Sequence, residues 1–189
     1  MPRKFMFTRD EIIAAAVKLV KSGGISALTA RALGAELGSS SRPVFGLFKN
    51  MEEVQQEVFK AADDLYQSYL KEDMQSGKYP AYKASGMAYI RFAKEEKELF
   101  KLLFMRDRSH EGKEENREGI KPLLELIQQN LGLNEEDAYL FHIEMWIYVH
   151  GIATMLATSY LEWDEGFISK VITDGFEGMK TRYIGGKPV

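Results

Sequence analysis

The sequence predicts an all-α chain of about nine helices, and three observations carry that expectation. Apolar residues recur every three or four positions in segment after segment. Capping residues and glycines punctuate those segments. No stretch alternates convincingly with the period of two that a half-buried strand requires. At 45% hydrophobic and 28% charged residues, the composition suits one or two globular domains with a buried core. No apolar run reaches the roughly 18 residues that span a bilayer. The N-terminus carries Arg3 and Lys4 but no apolar stretch of the signal-peptide kind. With no cysteine, disulfides and thiolate metal sites are excluded, and a cytoplasmic location is expected.

The first helix is expected to open at Thr8, where Thr8-Arg9-Asp10-Glu11 has the capping-box pattern. Ile12, Ala16, Leu19 and Val20 form its buried face, Ser22-Gly23-Gly24 stops it, and Phe5 and Phe7 precede it as a hydrophobic staple. Residues 28–48, LTARALGAELGSSSRPVFGLF, read as helix, glycine turn and second short helix. Thr29 caps the first of these, Gly38 ends it, and Ser39, Ser40 and Ser41 open the second, which carries Val44, Phe45 and Phe48. That is a helix-turn-helix, whose second helix can enter a DNA major groove.

Asn50 then caps a long helix to about Met74, which connects the two parts of the chain. Tyr79-Pro80 marks a break, and two helices follow, with a corner in Lys94-Glu95-Glu96-Lys97. The polar segment 106–118 is expected to be an exposed loop. A seventh helix holds Pro122 in its first turn, and an eighth opens at Asn134. A ninth covers about residues 164–183, before a Gly-Gly-Lys-Pro tail. The eighth is apolar on nearly every face, from Leu140 and Phe141 to Met155 and Leu156. Such a helix needs its own core on one side and another apolar surface, most simply a second copy of the chain, on the other.

The net charge of −3 conceals an asymmetry. Residues 1–50 carry eight Lys or Arg against three acids, a net of +5, and residues 51–189 hold 17 against 25, a net of −8. A basic first part on an acidic body is the footprint of a chain whose N-terminal part alone meets a polyanion, although chance clustering on a solvated surface gives the same count. The expected division is therefore a helix-turn-helix domain over residues 1–50 and a helical domain over 51–189, with the helix of about 50–75 between them.

Residues 8–59 resemble the DNA-binding domain of the tetracycline-repressor (TetR) family. That family pattern begins with I-x-x-A-A-x-x-L and a glycine end, here Ile12 to Gly24. It continues L-T-x-R-x-L/I-A-x-x-x-G-x-S, here from Leu28-Thr29-Ala30-Arg31 to Gly38-Ser39-Ser40. An aromatic pair, here Phe45 and Phe48, precedes K-x-K/M-E-E-L/V, here Lys49 to Val54. Phe45 stands where tyrosine is usual, and Gly46 where a contact residue is usual. Trp146-Ile147-Tyr148-Val149-His150-Gly151 is similar to the W-x-x-x-H-G element of one subgroup. The resemblance implies a homodimer, joined through the last two helices, that represses transcription from a palindromic operator in double-stranded DNA. A small-molecule effector in the C-terminal domain would release it.

Candidate DNA-binding residues are Thr29, Arg31, Ser40, Ser41, Arg42, Phe45, Gly46 and Lys49. Arg42 stands at the start of the recognition segment, where an arginine can grip guanine by two hydrogen bonds. Lys49 suits a phosphate, and Phe45 a sugar or a thymine methyl. Ser40 and Ser41 can equally be caps only, Phe45 and Phe48 core only, and Arg31 can touch phosphate or pair with Glu36. Candidate effector-binding residues are Phe92, Phe104, Met105, Phe141, His142, Met145 and Trp146, an aromatic set suited to a flat or apolar molecule, or to plain core packing. His142 and His150 lie about 12 Å apart along one helix and cannot share a metal. His150 beside Gly151 is expected where another helix approaches closely. No catalytic group, metal site or cofactor motif is present in the sequence, and no membrane contact is expected. The alternatives are a helical small-molecule binder or enzyme without operator function, or a regulator tuned by a protein partner.

Overall fold

The computed structural model describes residues 6–109 and 117–185. The Phe5 staple, most of the polar segment 106–118 and the Gly-Lys-Pro end of the tail lie outside them. Among the described residues there are eight α-helices and no strand: α1 Arg9–Gly23, α2 Ala30–Glu36, α3 Met51–Gln75, α4 Ala81–Glu95, α5 Lys97–Phe104, α6 Arg117–Leu131, α7 Glu135–Ala157 and α8 Glu165–Ile184. The expected ninth helix, the second of the helix-turn-helix, is a 3-10 turn over Val44–Gly46. Pro43 supplies no N–H, Gly46 is a poor helix former, and a segment this short does not recover the cost of nucleating an α-helix.

Two compact units divide the chain: Met1–Ser68 with Glu95–Arg106, and Tyr69–Lys94 with Asp107–Val189. The first unit holds α1, α2, most of α3 and α5, so residues 95–106 return to it, a feature that a division at residue 50 does not contain. Its helix starts follow the sequence. At Thr8 the capping box is complete, with the Glu11 amide donating to Thr8 Oγ1 at 3.2 Å and the Thr8 amide to Glu11 Oε2 at 2.8 Å. Gly24, at φ 70°, closes α1 by donating its N–H to the Val20 carbonyl. Its core is built from Ile12, Ala16, Val20, Leu33, Val44, Phe48, Val54, Val58, Leu99 and Phe100, all buried. α5 packs on α1, and Tyr66 meets Phe104 edge to face at 5.2 Å.

In the second unit α7 packs against α6 and α8. It buries Ala138, Phe141, His142, Met145, Val149, Ile152, Ala153, Leu156 and Ala157. By length and composition α7 is apolar enough to cross a membrane, contrary to the reading of its sequence, yet its side chains form the core of this unit. α6 begins at Arg117, which puts Pro122 in its second turn rather than its first. The proline leaves only the carbonyl of the exposed Glu118 without its helical partner, where water can serve it. The corner between α4 and α5 falls at Glu96, within the polar run expected to hold it.

Candidate functional site

The segment from Thr29 to Lys49 is positioned by two turns. Thr29 Oγ1 accepts from the Ala32 amide at 3.1 Å and starts α2. At its end, Gly38 takes φ 63°, its amide donates to the Ala35 carbonyl at 3.0 Å, and the Ser39 amide donates to the Gly34 carbonyl at 2.8 Å. These two bonds form a Schellman closure, which needs the left-handed residue that glycine provides. The turn then passes so close to α2 that a Cβ on Gly34 would stand 2.8 Å from the Ser40 carbonyl carbon and the Ser41 nitrogen. That contact accounts for glycine where the resembling pattern has alanine. The 3-10 turn is held by Val44 N–H to Ser41 O at 3.2 Å, Gly46 N–H to Pro43 O at 3.2 Å and Leu47 N–H to Val44 O at 3.0 Å. Val44 and Phe48 face the core, whereas Phe45 is 45% exposed.

Of the eight candidate DNA-binding residues, Thr29, Arg31, Ser40, Arg42, Phe45, Gly46 and Lys49 are exposed and Ser41 is half-buried. The cations sort into two groups. On α1, Arg9 pairs with Glu53 at 3.0 Å and Glu57 at 2.8 Å, Lys18 with Glu36 at 2.5 Å, and Lys21 with Glu96 at 2.6 Å. Arg31, Arg42 and Lys49 form no ion pair among the described residues, and Glu36, one of the two alternatives for Arg31, is taken by Lys18. Glu53 caps the approach to α3: its Oε2 accepts from the Lys49 amide at 2.7 Å while its own amide donates to Asn50 Oδ1 at 2.9 Å. The Lys49 amide first, and Arg9 second, hold the Glu53 carboxyl below the usual range. Arg31, Arg42 and Lys49 thus present unpaired positive charge on the surface of the helix-turn-helix, where it can meet phosphate.

The second unit contains Phe92, Phe141, His142, Met145 and Trp146 of the aromatic set. Phe141 lies at the centre of a ring cluster, 5.4 Å from Phe176, 5.4 Å from Tyr183 and 6.4 Å from Tyr82. Two tyrosines of α4 meet two histidines of α7: Tyr82 Oη lies 3.1 Å from His142 Nδ1 and Tyr89 Oη 2.8 Å from His150 Nδ1. A hydroxyl that donates to Nδ1 requires a neutral imidazole with its proton on Nε2. Trp146, 43% exposed, stacks on His150 at 5.0 Å. Met145 is buried, as is Phe92, which meets Tyr69 edge to face at 5.4 Å. Phe104 and Met105 belong to the first unit, where Phe104 packs on Phe100 at 5.2 Å and Met105 is 39% exposed.

The tyrosine–histidine pairing escaped a reading that took the histidines alone. Its signal was the spacing of seven between Tyr82 and Tyr89 on one helix against eight between His142 and His150 on another. Among the described residues of this chain no other helix lies within 4 Å of the Gly151 Cβ position, and a tight contact falls instead on Gly175, where a Cβ would meet the Tyr148 ring at 2.8 Å.

Burial lowers the pKa of His142 below its ordinary value. The unfolded chain then binds the proton more readily, so this contribution to stability is complete above a pH of about 6.5 and is lost as pH falls from there through the lower folded value. His150 is shifted the same way by the same cause. Thermal melts of wild type and His142→Gln from neutral to mildly acidic pH are expected to show a smaller acid loss in the variant. Parallel curves would remove His142 from the account.

Three comparisons bear on this architecture. Residues 82–174 match the family model of the tetracyclin repressor-like C-terminal domain. The fold is similar to that of a protein from Vibrio parahaemolyticus described as a transcriptional regulator of the TetR family. The two share 16% identity at a TM-score of 0.58, over 90% of this chain and 97% of that one. No curated protein sequence matches the chain.

Proposed function

We propose that this chain is a tetracycline-repressor-type transcriptional regulator rather than an enzyme, acting in the cytoplasm as a homodimer on a palindromic operator. The carrying observation is the sorting of charge: the cations of α1 are neutralised, while Arg31, Arg42 and Lys49 stay unpaired around a segment that exposes Phe45, Ser40 and Thr29. In this reading Arg42 reads a base edge, and Lys49, Arg31, Thr29 and the two serines anchor phosphates. Gly46 lets the backbone approach the duplex, and Phe45 lies against sugar or a thymine methyl.

Leu140, Ile147 and Met155 support the second copy. They are exposed on α7 at 46%, 60% and 39%, with the open position of Gly151 between the last two. A two-fold pair through α7 and α8 would cover them and carry two recognition segments to half-sites one DNA turn, roughly 34 Å, apart. Effector binding among the second-unit residues Phe92, Phe141, His142, Met145 and Trp146 would favour a dimer geometry that no longer fits those half-sites. A small apolar or aromatic molecule suits that lining, with the histidines as its few polar groups.

The test is duplex binding across a salt series, using DNA enriched from a random-sequence pool on the wild-type chain. Arg42→Ala is expected to relax discrimination at one position by about 1–3 kcal/mol. Lys49→Ala is expected to weaken all sequences alike and to reduce the salt slope by about 0.9. Wild-type selectivity in Arg42→Ala would reject the assignment of base readout to that side chain.

A further inference from the structure

We infer that Arg9 is a positioning residue for the DNA-reading segment and not a phosphate contact, an inference that rests on the proposed role of residues 39–49. The segment cannot hold itself. Its regular part is the three-residue 3-10 turn Val44–Gly46, it contains a proline, and it ends in Leu47, at φ −119° and ψ −20°, before α3 begins. A chain this short leaves its last carbonyls open and gains too few internal bonds to fix its conformation.

Arg9, in the first turn of α1, supplies what is missing. Its Nη1 donates to the Leu47 carbonyl at 2.7 Å and to Glu53 Oε1 at 3.0 Å, and its Nη2 donates to Glu57 Oε1 at 2.8 Å. Its guanidinium also lies 4.1 Å from the centroid of the Phe48 ring. Glu53 carries the connection back, because its other oxygen accepts from the Lys49 amide at 2.7 Å. One planar fork therefore ties α1, the end of the reading segment and the first two turns of α3 into a single clamp, closed on both sides of Phe48. Only a guanidinium makes these contacts together, since an ammonium presents one nitrogen where three acceptors stand in different directions. Two carboxylates pair with this one cation, so its charge is already spent within the protein. Its charge serves the clamp, whereas the unpaired charge of Arg31, Arg42 and Lys49 is available to DNA.

Arg9→Met keeps an apolar stem over Phe48 and removes the fork, and Arg9→Lys keeps the charge and removes the geometry. Lys18→Met is the control: it deletes another ion-paired cation of α1, one bound to Glu36 and distant in sequence from Leu47. Two readouts are taken: amide hydrogen exchange of the DNA-free proteins, and binding across a salt series to the duplex enriched on wild type. Both Arg9 variants are expected to exchange at least tenfold faster at Leu47, Phe48 and Lys49, and to bind at least tenfold more weakly with the wild-type salt slope. Lys18→Met is expected to match wild type in exchange at those amides.

Wild-type exchange in Arg9→Lys overturns the inference, and that variant decides the matter if Arg9→Met does not fold. A salt slope that falls in Arg9→Met and is restored in Arg9→Lys also overturns it, because Arg9 would then be contacting phosphate. A wild-type chain that enriches no duplex overturns the proposed function instead, and the exchange measurement separates the two failures.

Discussion

Phe141→Ala is expected to lower the stability of the second unit by about 3–5 kcal/mol, the range for emptying a buried phenylalanine site. Phe141 is fully buried and packs edge to face on Phe176 and Tyr183, each 5.4 Å away, so the loss includes ring–ring contacts as well as transfer of the side chain from water. Truncation also removes a neighbour of Tyr82, whose hydroxyl meets the otherwise buried His142. For a chain of this size each kcal/mol moves the melting temperature by about 2–4 °C, so a fall of roughly 6–20 °C is anticipated. Ile147→Ala, at a position 60% exposed on the same helix, provides the contrast in dilute protein. If Phe141→Ala melted no lower than Ile147→Ala, the ring cluster would not be the core of this unit.

The second large effect belongs to the first unit. Leu33 is fully buried in α2, the helix that carries the Gly38 turn and packs on α1. Leu33→Ala is expected to cost about 2–5 kcal/mol and to weaken operator binding although Leu33 itself cannot reach DNA. The separation from surface effects is measurable: Arg42→Ala should change binding with an unaltered melt, whereas Leu33→Ala should change both and accelerate hydrogen exchange in α1 and α2. A Leu33→Ala protein with wild-type melting and wild-type affinity would show that the turn is held by something other than this packing.

Much of the architecture was legible because local chemistry specified it. Thr8 with Glu11, Thr29, Asn50, Asn134 and Asp164 stand where helices begin, and all five starts have their side-chain cap. The rule at work is short range: a side-chain oxygen meets an amide two or three residues on, whatever the rest of the chain does. Gly24 and Gly38 ended helices for an equally local reason. The errors share a different cause. The second helix of the helix-turn-helix was read from apolar spacing, but Pro43 and Gly46 made it a 3-10 turn. Pro122 was placed in the first turn of its helix, whereas α6 begins at Arg117 and holds it in the second, where the carbonyl left without a helical partner is that of the exposed Glu118.

Composition and periodicity by themselves determined that this chain is all-helical, where most of its helices begin and end, and that its positive charge gathers in the first fifty residues. Which of those charges remain available was decided only in the tertiary structure. Arg9, Lys18 and Lys21 are indistinguishable in sequence from Arg31, Arg42 and Lys49, yet folding places a carboxylate from a distant segment beside each of the first three and beside none of the others. The pairing of Tyr82 and Tyr89 with His142 and His150 is of the same kind. Caps and turns act across three or four residues and can be read along the chain. An ion pair can span 87 positions here, from Lys78 to Glu165, and it exists only once the backbone has brought its partners together.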